Sequence, residues 1–429
     1  MLDKPLIELS EDFQFALDEL EQGAHLFITG KAGTGKSTLL QLFRDTTEKN
    51  LVVLAPTGIA ALNVKGQTIH SFFGLPPKPL KADEVPVKKY KRLYQKLDCI
   101  VIDEISMVRA DMIDTIDIFM RLNGRNPDLP FGGVQLVFFG DLFQLPPVVK
   151  REEQDFFQTR YGSPYFFSAE AIRDIQMDIF ELTTVYRQEQ RSFVRLLDRI
   201  RTNSLEWEDF DNLNTRFVEN LAELEFEGPY ITLSARNDTV DKINQKQLEK
   251  LTGPEVSFTG SVSGNFNERL FPAEMVLRLR EGAQVMFIKN DANKRFVNGS
   301  IGIVKELKSD GIKVELNDPK TGDQKQIKVA RTDWEVIRHK LNEKQELVAE
   351  SVGSFTQYPL RLAWAITIHK SQGKTFDRVI IDLGKGAFAH GQTYVALSRC
   401  TTLEGIILKQ KIRPSDIRLD PRIIEFYAD

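Results

Sequence analysis

The sequence predicts an α/β protein made of two parallel-sheet units, with a small antiparallel module set into the second. Three observations predict it. Short apolar runs alternate with amphipathic helical patterns through the N-terminal half. The same alternation restarts near residue 193, and short strand-like runs broken by Gly, Asn and Asp interrupt the second round. Strand–helix alternation yields parallel sheets covered on both faces, because each parallel crossover lays a helix on the sheet.

In the first unit, the runs at 24–29, 51–54, 99–102 and 134–139 read as buried strands. Between them lie a Leu-rich stretch at 37–46 and a helical one at 111–122, which places Met112, Ile116, Phe119 and Met120 on one face. An amphipathic helix carrying Phe193, Leu196, Leu197 and Ile200 opens the second unit. Strands are expected there at 230–234, 360–366, 378–383 and 405–408, with a helix near 393–398. The runs at 284–287, 300–307, 311–316 and 325–329, joined by turn residues, suggest a small inserted antiparallel barrel. The expected limits are 1–185 for the first unit, 186–293 with 355–429 for the second, and 294–354 for the barrel; a hairpin or loop at about 74–90 would project as a wedge.

Composition leaves function open. The chain has 429 residues, 41% hydrophobic and 28% charged, enough to bury more than one core. No apolar run approaches the roughly 20 residues that cross a bilayer. Residues 1–13 are acidic and lack the apolar centre of a signal peptide. The reading is a soluble intracellular protein, cytoplasmic in a bacterium or nuclear if it is the trimmed core of a eukaryotic one. Cys99 and Cys400 are the only cysteines, and the five histidines lack ligand spacing, so neither a disulfide framework nor a structural metal is expected. The net charge of −4 does not advertise nucleic-acid binding. It does not oppose it either, since a groove can be locally positive on an acidic body.

The strongest chemical signal is Gly30-Lys-Ala-Gly33-Thr34-Gly35-Lys36-Ser37-Thr38, a GxxxxGK[ST] loop between an expected strand and an expected helix. Glycines let successive backbone N–H groups face a phosphate chain, and the following helix adds its positive end. Lys36 would reach the β- and γ-phosphates and Ser37 would hold Mg²⁺. Chance alone gives the pattern in roughly 1–2% of chains this long, so a nucleotide site is the better reading than an ordinary Gly-rich turn. The second half of the site is the apolar run ending in Asp103-Glu104. Asp103 would hold Mg²⁺, usually through water, and Glu104 is placed to orient an attacking water, which favours hydrolysis over transfer to another substrate.

Other candidates are weaker. Gln144, in Gly-Asp-Leu-Phe-Gln-Leu-Pro-Pro, could sense the γ-phosphate, although a Gln in a Pro-bounded loop is otherwise unremarkable. Arg187 and Arg399 could neutralise phosphate charge from outside the loop's own domain, but spacing does not separate them from other arginines. Residues 78–96 interleave Lys and Arg with Tyr90 and Tyr94, which suits either a DNA-tracking surface or a solvated face. Gly66-Gln-Thr-Ile-His70-Ser-Phe72-Phe and Thr367-Ile-His369-Lys370-Ser-Gln-Gly-Lys each follow an apolar run with a polar loop able to grip a backbone.

Taken together, these residues resemble the superfamily 1 helicases, most closely the petite-integration-frequency (Pif-type) DNA helicases. The resemblance also uses Ala55-Pro-Thr57-Gly-Ile-Ala-Ala, Thr183-Thr-Val-Tyr-Arg187, residues 365–375, Tyr394-Val-Ala-Leu-Ser-Arg399, and the stretch 105–125 followed by Pro130-Phe-Gly-Gly-Val-Gln-Leu. It implies two RecA-like P-loop domains with ATP between them, and an inserted Src-homology-type β-barrel beginning near Phe287 and Arg295. It implies an ATPase set of Lys36, Ser37, Asp103, Glu104, Gln144, Arg187 and Arg399, with Gly373 and Lys374 near the nucleotide. Thr57, His70, Phe72, Thr367, His369 and Lys370 would line a single-stranded DNA track. The expected partners are single-stranded and forked DNA, engaged by a monomer or by a dimer on DNA. Family members move 5′ to 3′ and open forks, RNA–DNA hybrids and G-quadruplexes in repair, recombination and telomere maintenance. Gln14 is the approximate counterpart of the family's adenine-contacting Gln, one residue out of step. The alternatives left open are an RNA-dependent ATPase or helicase and a nucleotide-switched binding module.

Overall fold

The computed structural model describes residues 10–188, 190–221, 228–308, 311–317 and 323–428. The expected first-unit residues before Ser10, and positions 309–310 and 318–322 of the expected insertion, lie outside the described residues. The first unit contains β1 (His25–Gly30), β2 (Leu51–Ala55), β3 (Gln67–Thr68), β4 (Cys99–Ile102), β5 (Gln135–Phe139) and β6 (Met177–Leu182). They form one parallel sheet in the order β3-β2-β4-β5-β1-β6. Both faces are covered. Along β5, Leu136 and Phe138 join one core with Phe119 and Ile113, while Val137 and Phe139 join another with Leu39 and Phe43. Burial on both sides is why the central strands β2 and β4 are continuously apolar. Phe138 is fully buried, and trimming such a ring to Ala costs about 3–5 kcal/mol.

This strand order positions the site. β4, β5 and β1 are neighbours, so the loops leaving their carboxyl ends lie side by side: Asp103-Glu104, Gly140 to Gln144, and Gly30 to Lys36. Open α/β sheets bind ligands in this place.

The second unit begins with β7 (Ile231–Ser234) and is then interrupted by antiparallel strands. These are β8 (Val256–Thr259), β9 (Ser261–Gly264), β10 (Val276–Leu279), β11 (Gln284–Phe287), β12 (Ile301–Lys308), β13 (Gly311–Asn317), β14 (Gln324–Val329), β15 (Thr332–Leu341), β16 (Leu347–Gln357) and β17 (Leu360–Leu362). The unit resumes with β18 (Ala365–Thr367), β19 (Val379–Asp382) and β20 (Ile406–Leu408). Its own sheet is parallel, in the order β18-β7-β19-β20. Helix Arg191–Arg201 packs on it through Phe193, Leu196, Leu197 and Ile200.

The antiparallel module differs from the expected 294–354 barrel. It starts at β8 and comprises a five-stranded sheet β14-β13-β12-β11-β17, a three-stranded sheet β15-β16-β9 and the pair β10-β8. The early strands escape a sequence reading because β9 is Ser-Val-Ser-Gly, exposed throughout and without apolar alternation. The 74–90 segment takes the loop form of the two expected there. Its only regular element is one 3₁₀ turn, Ala82–Glu84, and no hairpin forms among the described residues. Buried Asn123 pins it as a loop: its Oδ1 accepts from Lys88 N at 2.7 Å and its Nδ2 donates to Pro86 O at 3.1 Å.

The C-terminal helix Pro421–Ala428 falls in the expected second unit yet packs on the first. Ile423 joins the first core, Phe426 stacks on Phe167 with centroids 4.4 Å apart, and the Tyr427 hydroxyl lies 2.8 Å from Thr29 Oγ1.

Candidate active site

Gly35, at φ +89°, caps the N-terminus of helix Lys36–Thr46, so the helix's free N–H groups open towards the cleft. Gly33, at φ +87°, is held against the segment after β6. Its carbonyl accepts from Tyr186 N at 2.9 Å, and a Cβ there would stand 2.5 Å from Arg187 Cβ. A side chain at 33 would clash and be strained by the backbone as well. The loop borders a cavity of about 670 Å³, lined by Gly33, Thr34, Gly35, Lys36, Ser37, Thr38, Asp103, Glu104, Gln144, Arg187, Gly373 and Arg399. Residues from opposite ends of the chain therefore converge on one space.

Two expected members lie elsewhere. Gln14 is on the exposed side of helix Glu11–Gln22 and donates to Asp18 Oδ1 at 2.8 Å, whereas Ser10 and Phe13 line that end of the cavity. Helical periodicity explains the difference, since a shift of one residue turns the side chain about 100° away. Lys374 is buried outside the cavity, its side chain facing Gly299.

The charges in the cavity are arranged for an anion. Lys36 folds onto its own loop, donating to Gly30 O at 2.7 Å and Lys31 O at 2.9 Å, and burial holds its pKa below the ordinary value. Arg399 is almost wholly buried, donating to Val395 O at 2.9 Å and to Ser398 Oγ at 2.8 Å. Arg187 donates to Ser398 O at 3.2 Å. Burial first, then the facing Arg187, pushes Arg399 down to about 9. A cation depressed by burial and by a like charge beside it is relieved by a polyanion in the same space.

Against them stand two carboxyls. Asp103 is pushed up by burial, and Glu104 by burial and then by Asp103. A Mg²⁺ site would fit here: Ser37 and Asp103 both line the cavity and offer the hard oxygen donors this ion takes, and burial of Asp103 is relieved by a cation. Glu104 adopts φ +53°, a left-handed backbone that costs a non-glycine residue roughly 1–2 kcal/mol. Such strain is typical of functional positions.

A polar chain crosses the cleft behind the cavity. Gln372 Nε2 donates to Glu104 Oε2 at 3.0 Å and to Gln144 Oε1 at 3.3 Å. Gln144 Nε2 donates to Asp141 Oδ2 at 3.0 Å, and Asp141 Oδ1 accepts from Arg201 Nη2 at 3.2 Å. The Tyr394 hydroxyl accepts from Ala32 N at 3.0 Å. Sequence reading singled out none of Gln372, Asp141, Arg201 or Tyr394; all but Arg201 lie inside the quoted motifs, but nothing in their spacing marked them.

The sequence pattern of PIF1-like helicases matches residues 9–209. The ATP-dependent DNA helicase PIF1 of Mus musculus is 35% identical over 438 residues, covering 98% of this chain and 63% of the relative. A crystal structure of Pif1 from a Bacteroides species with ADP-AlF4 superposes with a TM-score of 0.90 at 38% identity, covering 98% of this chain and 96% of that one. The chain belongs to the PIF1-like helicase family. It spans a little under two thirds of the mouse relative's length. A structure of Bacteroides Pif1 bound to single-stranded DNA, with the same identity and coverage, superposes with a TM-score of 0.69. The arrangement seen here is therefore nearer that of the ADP-AlF4 structure than that of the DNA complex.

In this PIF1-like chain the DNA-track candidates form two matched turns. Thr68 and Thr367 each end an edge strand, β3 or β18, and each caps a short helix, accepting from Ser71 N at 3.2 Å or Lys370 N at 3.3 Å. Each is followed by Ile-His, giving His70 half-buried and His369 exposed beside exposed Lys370. Thr57 caps a third such turn after β2. Phe72 differs from expectation: it is 5% exposed and packs edge-on against Phe73 and Tyr94, so no base can stack on it as the structure stands. Tyr90, 79% exposed, is the solvent-facing aromatic of that region, with Lys89 Nζ 5.6 Å from its ring centroid.

The β15–β16 hairpin closes over the first turn. Gln67 Oε1 accepts from His339 N at 3.1 Å and from its Nδ1–H at 2.7 Å, and the His339 ring meets Phe72 edge-on at 6.0 Å.

Proposed function

We propose that this chain is an ATP-dependent DNA helicase that moves along single-stranded DNA and opens forked duplexes. The observation that carries this reading is the lining of one cavity by Lys36 of the first unit together with Arg187 and Arg399, the latter two tied to Ser398 of the second. A triphosphate there is clamped from both sides. Loss of its γ-phosphate weakens the clamp, so hydrolysis becomes a change in domain arrangement.

In this reading Lys36 leaves its loop carbonyls for the β- and γ-phosphates, Gln144 reports the γ-phosphate, and Glu104 orients the attacking water. Ser37 and Asp103 would hold Mg²⁺, which when bound neutralises phosphate charge. Arg187 and Arg399 stabilise the charge that develops as the phosphoryl group departs. The turns at Thr57 and His70 and at Thr367 to Lys370 grip the DNA backbone from the two units, so binding depends little on sequence. Alternating grips give directed movement, with the family's 5′ to 3′ polarity. Tyr90 and its lysines meet the fork, and RNA–DNA hybrids and G-quadruplexes are further substrates. The working form is a monomer, or two copies at a fork.

Hydrolysis of ATP measured alone, with single-stranded DNA and with RNA tests this. Strong stimulation by DNA supports the reading. Stimulation by RNA only, or by neither, overturns it.

A further inference from the structure

Gln372 stands at the junction of two functions that the fold otherwise keeps apart. It follows directly on the turn Ile368–Ser371, and its backbone N donates to His369 O at 3.2 Å. Its amide group reaches in the other direction, into the nucleotide cleft. One hydrogen goes to Glu104 Oε2 at 3.0 Å and the other to Gln144 Oε1 at 3.3 Å. Both hydrogens of the amide are thus spent on the two groups that must engage the γ-phosphate and its attacking water.

This has a chemical consequence. A donor occupying Oε2 of Glu104 competes with a water for that oxygen. Gln144 is held at both ends, its oxygen by Gln372 and its nitrogen by Asp141. Neither group is free to rearrange around a triphosphate while Gln372 holds them.

We propose that Gln372 is a positioning residue that restrains Glu104 and Gln144 until DNA displaces the Thr367–Lys370 turn, making ATP hydrolysis depend on DNA. This rests on the helicase reading above. Contact of the DNA backbone with His369 and Lys370 shifts the turn. The His369–Gln372 backbone bond transmits the shift, and withdrawal of one amide releases both groups together.

The test is steady-state ATP hydrolysis by the full chain and by Gln372→Met, a side chain of similar length with no donor, each with and without single-stranded DNA. Without DNA, kcat of the variant should rise on the order of tenfold, the size expected for losing a hydrogen bond to a charged group. KM for ATP and the DNA-saturated kcat should change little, so the stimulation ratio falls towards one. A purely structural role would lower both rates and leave the ratio unchanged. Melting and binding of fluorescent ADP check folding, and Gln372→Ala substitutes if the Met variant melts early. A DNA-free rate that stays the same or falls overturns the restraint, while intact stimulation in the unmodified chain keeps the helicase reading. If the unmodified chain ignores DNA, the helicase reading fails, and the link to DNA proposed here fails with it.

Discussion

Arg201 of the second unit donates to Asp141 of the first at 3.2 Å, with its guanidinium 4.0 Å from the Phe143 ring centroid and both charged side chains buried. Asp141 also holds the Gln144 amide, so the pair joins the expected γ-phosphate sensor to helix Arg191–Arg201. Removing one partner of a buried ion pair strands the other charge, at a cost of about 3–5 kcal/mol. Arg201→Met should lower the denaturant midpoint accordingly. A double variant with Asp141→Asn should recover part of the loss, and strictly additive losses would show that the two do not interact.

The nucleotide assignments separate binding from turnover. Lys36→Ala should abolish hydrolysis and leave DNA affinity largely intact. Glu104→Gln should bind ATP and fail to turn it over. Arg399→Lys keeps the charge but loses the fork, and should lower kcat by roughly 10³-fold if the guanidinium stabilises the transition state. A loss under tenfold would leave Arg399 a structural residue holding Val395 O and Ser398 Oγ.

The hairpin seam should be sensitive to acid. Burial lowers His339 to about 4, against an unfolded value near 6.5. A depressed folded pKa means the unfolded or undocked form binds the extra proton. The stabilisation is thus fully present above pH 6.5 and is lost as pH falls towards 4, amounting at most to roughly 3 kcal/mol. His339→Asn should flatten the pH dependence of stability in this window. An unchanged slope would mean that His339 does not titrate at the seam.

Two aromatics close in sequence should behave oppositely. Phe72→Ala opens a core cavity and should cost about 3–5 kcal/mol of stability. Tyr90→Ala should leave stability within about 0.5 kcal/mol and slow unwinding of a forked duplex. Equal unwinding by Tyr90→Ala and the unmodified chain would remove Tyr90 from the fork.

Much of this organisation was legible in the sequence, and for physical reasons. β1, β2, β4 and β5 are buried on two faces, so β2 and β4 are apolar throughout and β1 and β5 largely so. The Gly30–Thr38 loop declares itself because its backbone tolerates few other residues. β6 was not legible: as a sheet edge it exposes Asp178, Ile179 and Glu181 and shows no apolar run. Phe72 was expected on the DNA track from its place in the 66–73 motif, because only tertiary packing shows Tyr94 and His339 beside it. The placement of the C-terminal helix, the Asn123 anchor under the 74–90 loop and the Gln372 contacts all depend on partners distant in the chain. Local pattern carries no trace of them.

The central claim is that one triphosphate draws the two units together. Cys99 and Cys400 are buried, so Gln41→Cys on helix Lys36–Thr46 and Gln245→Cys on helix Asn237–Glu249, both at exposed positions, can be labelled selectively. Energy transfer between the labels should rise when a non-hydrolysable ATP analogue binds the DNA complex, fall with ADP, and stay flat when Arg187 and Arg399 are replaced by Ala. Transfer that stays constant through the nucleotide cycle while ATP is being hydrolysed would contradict it.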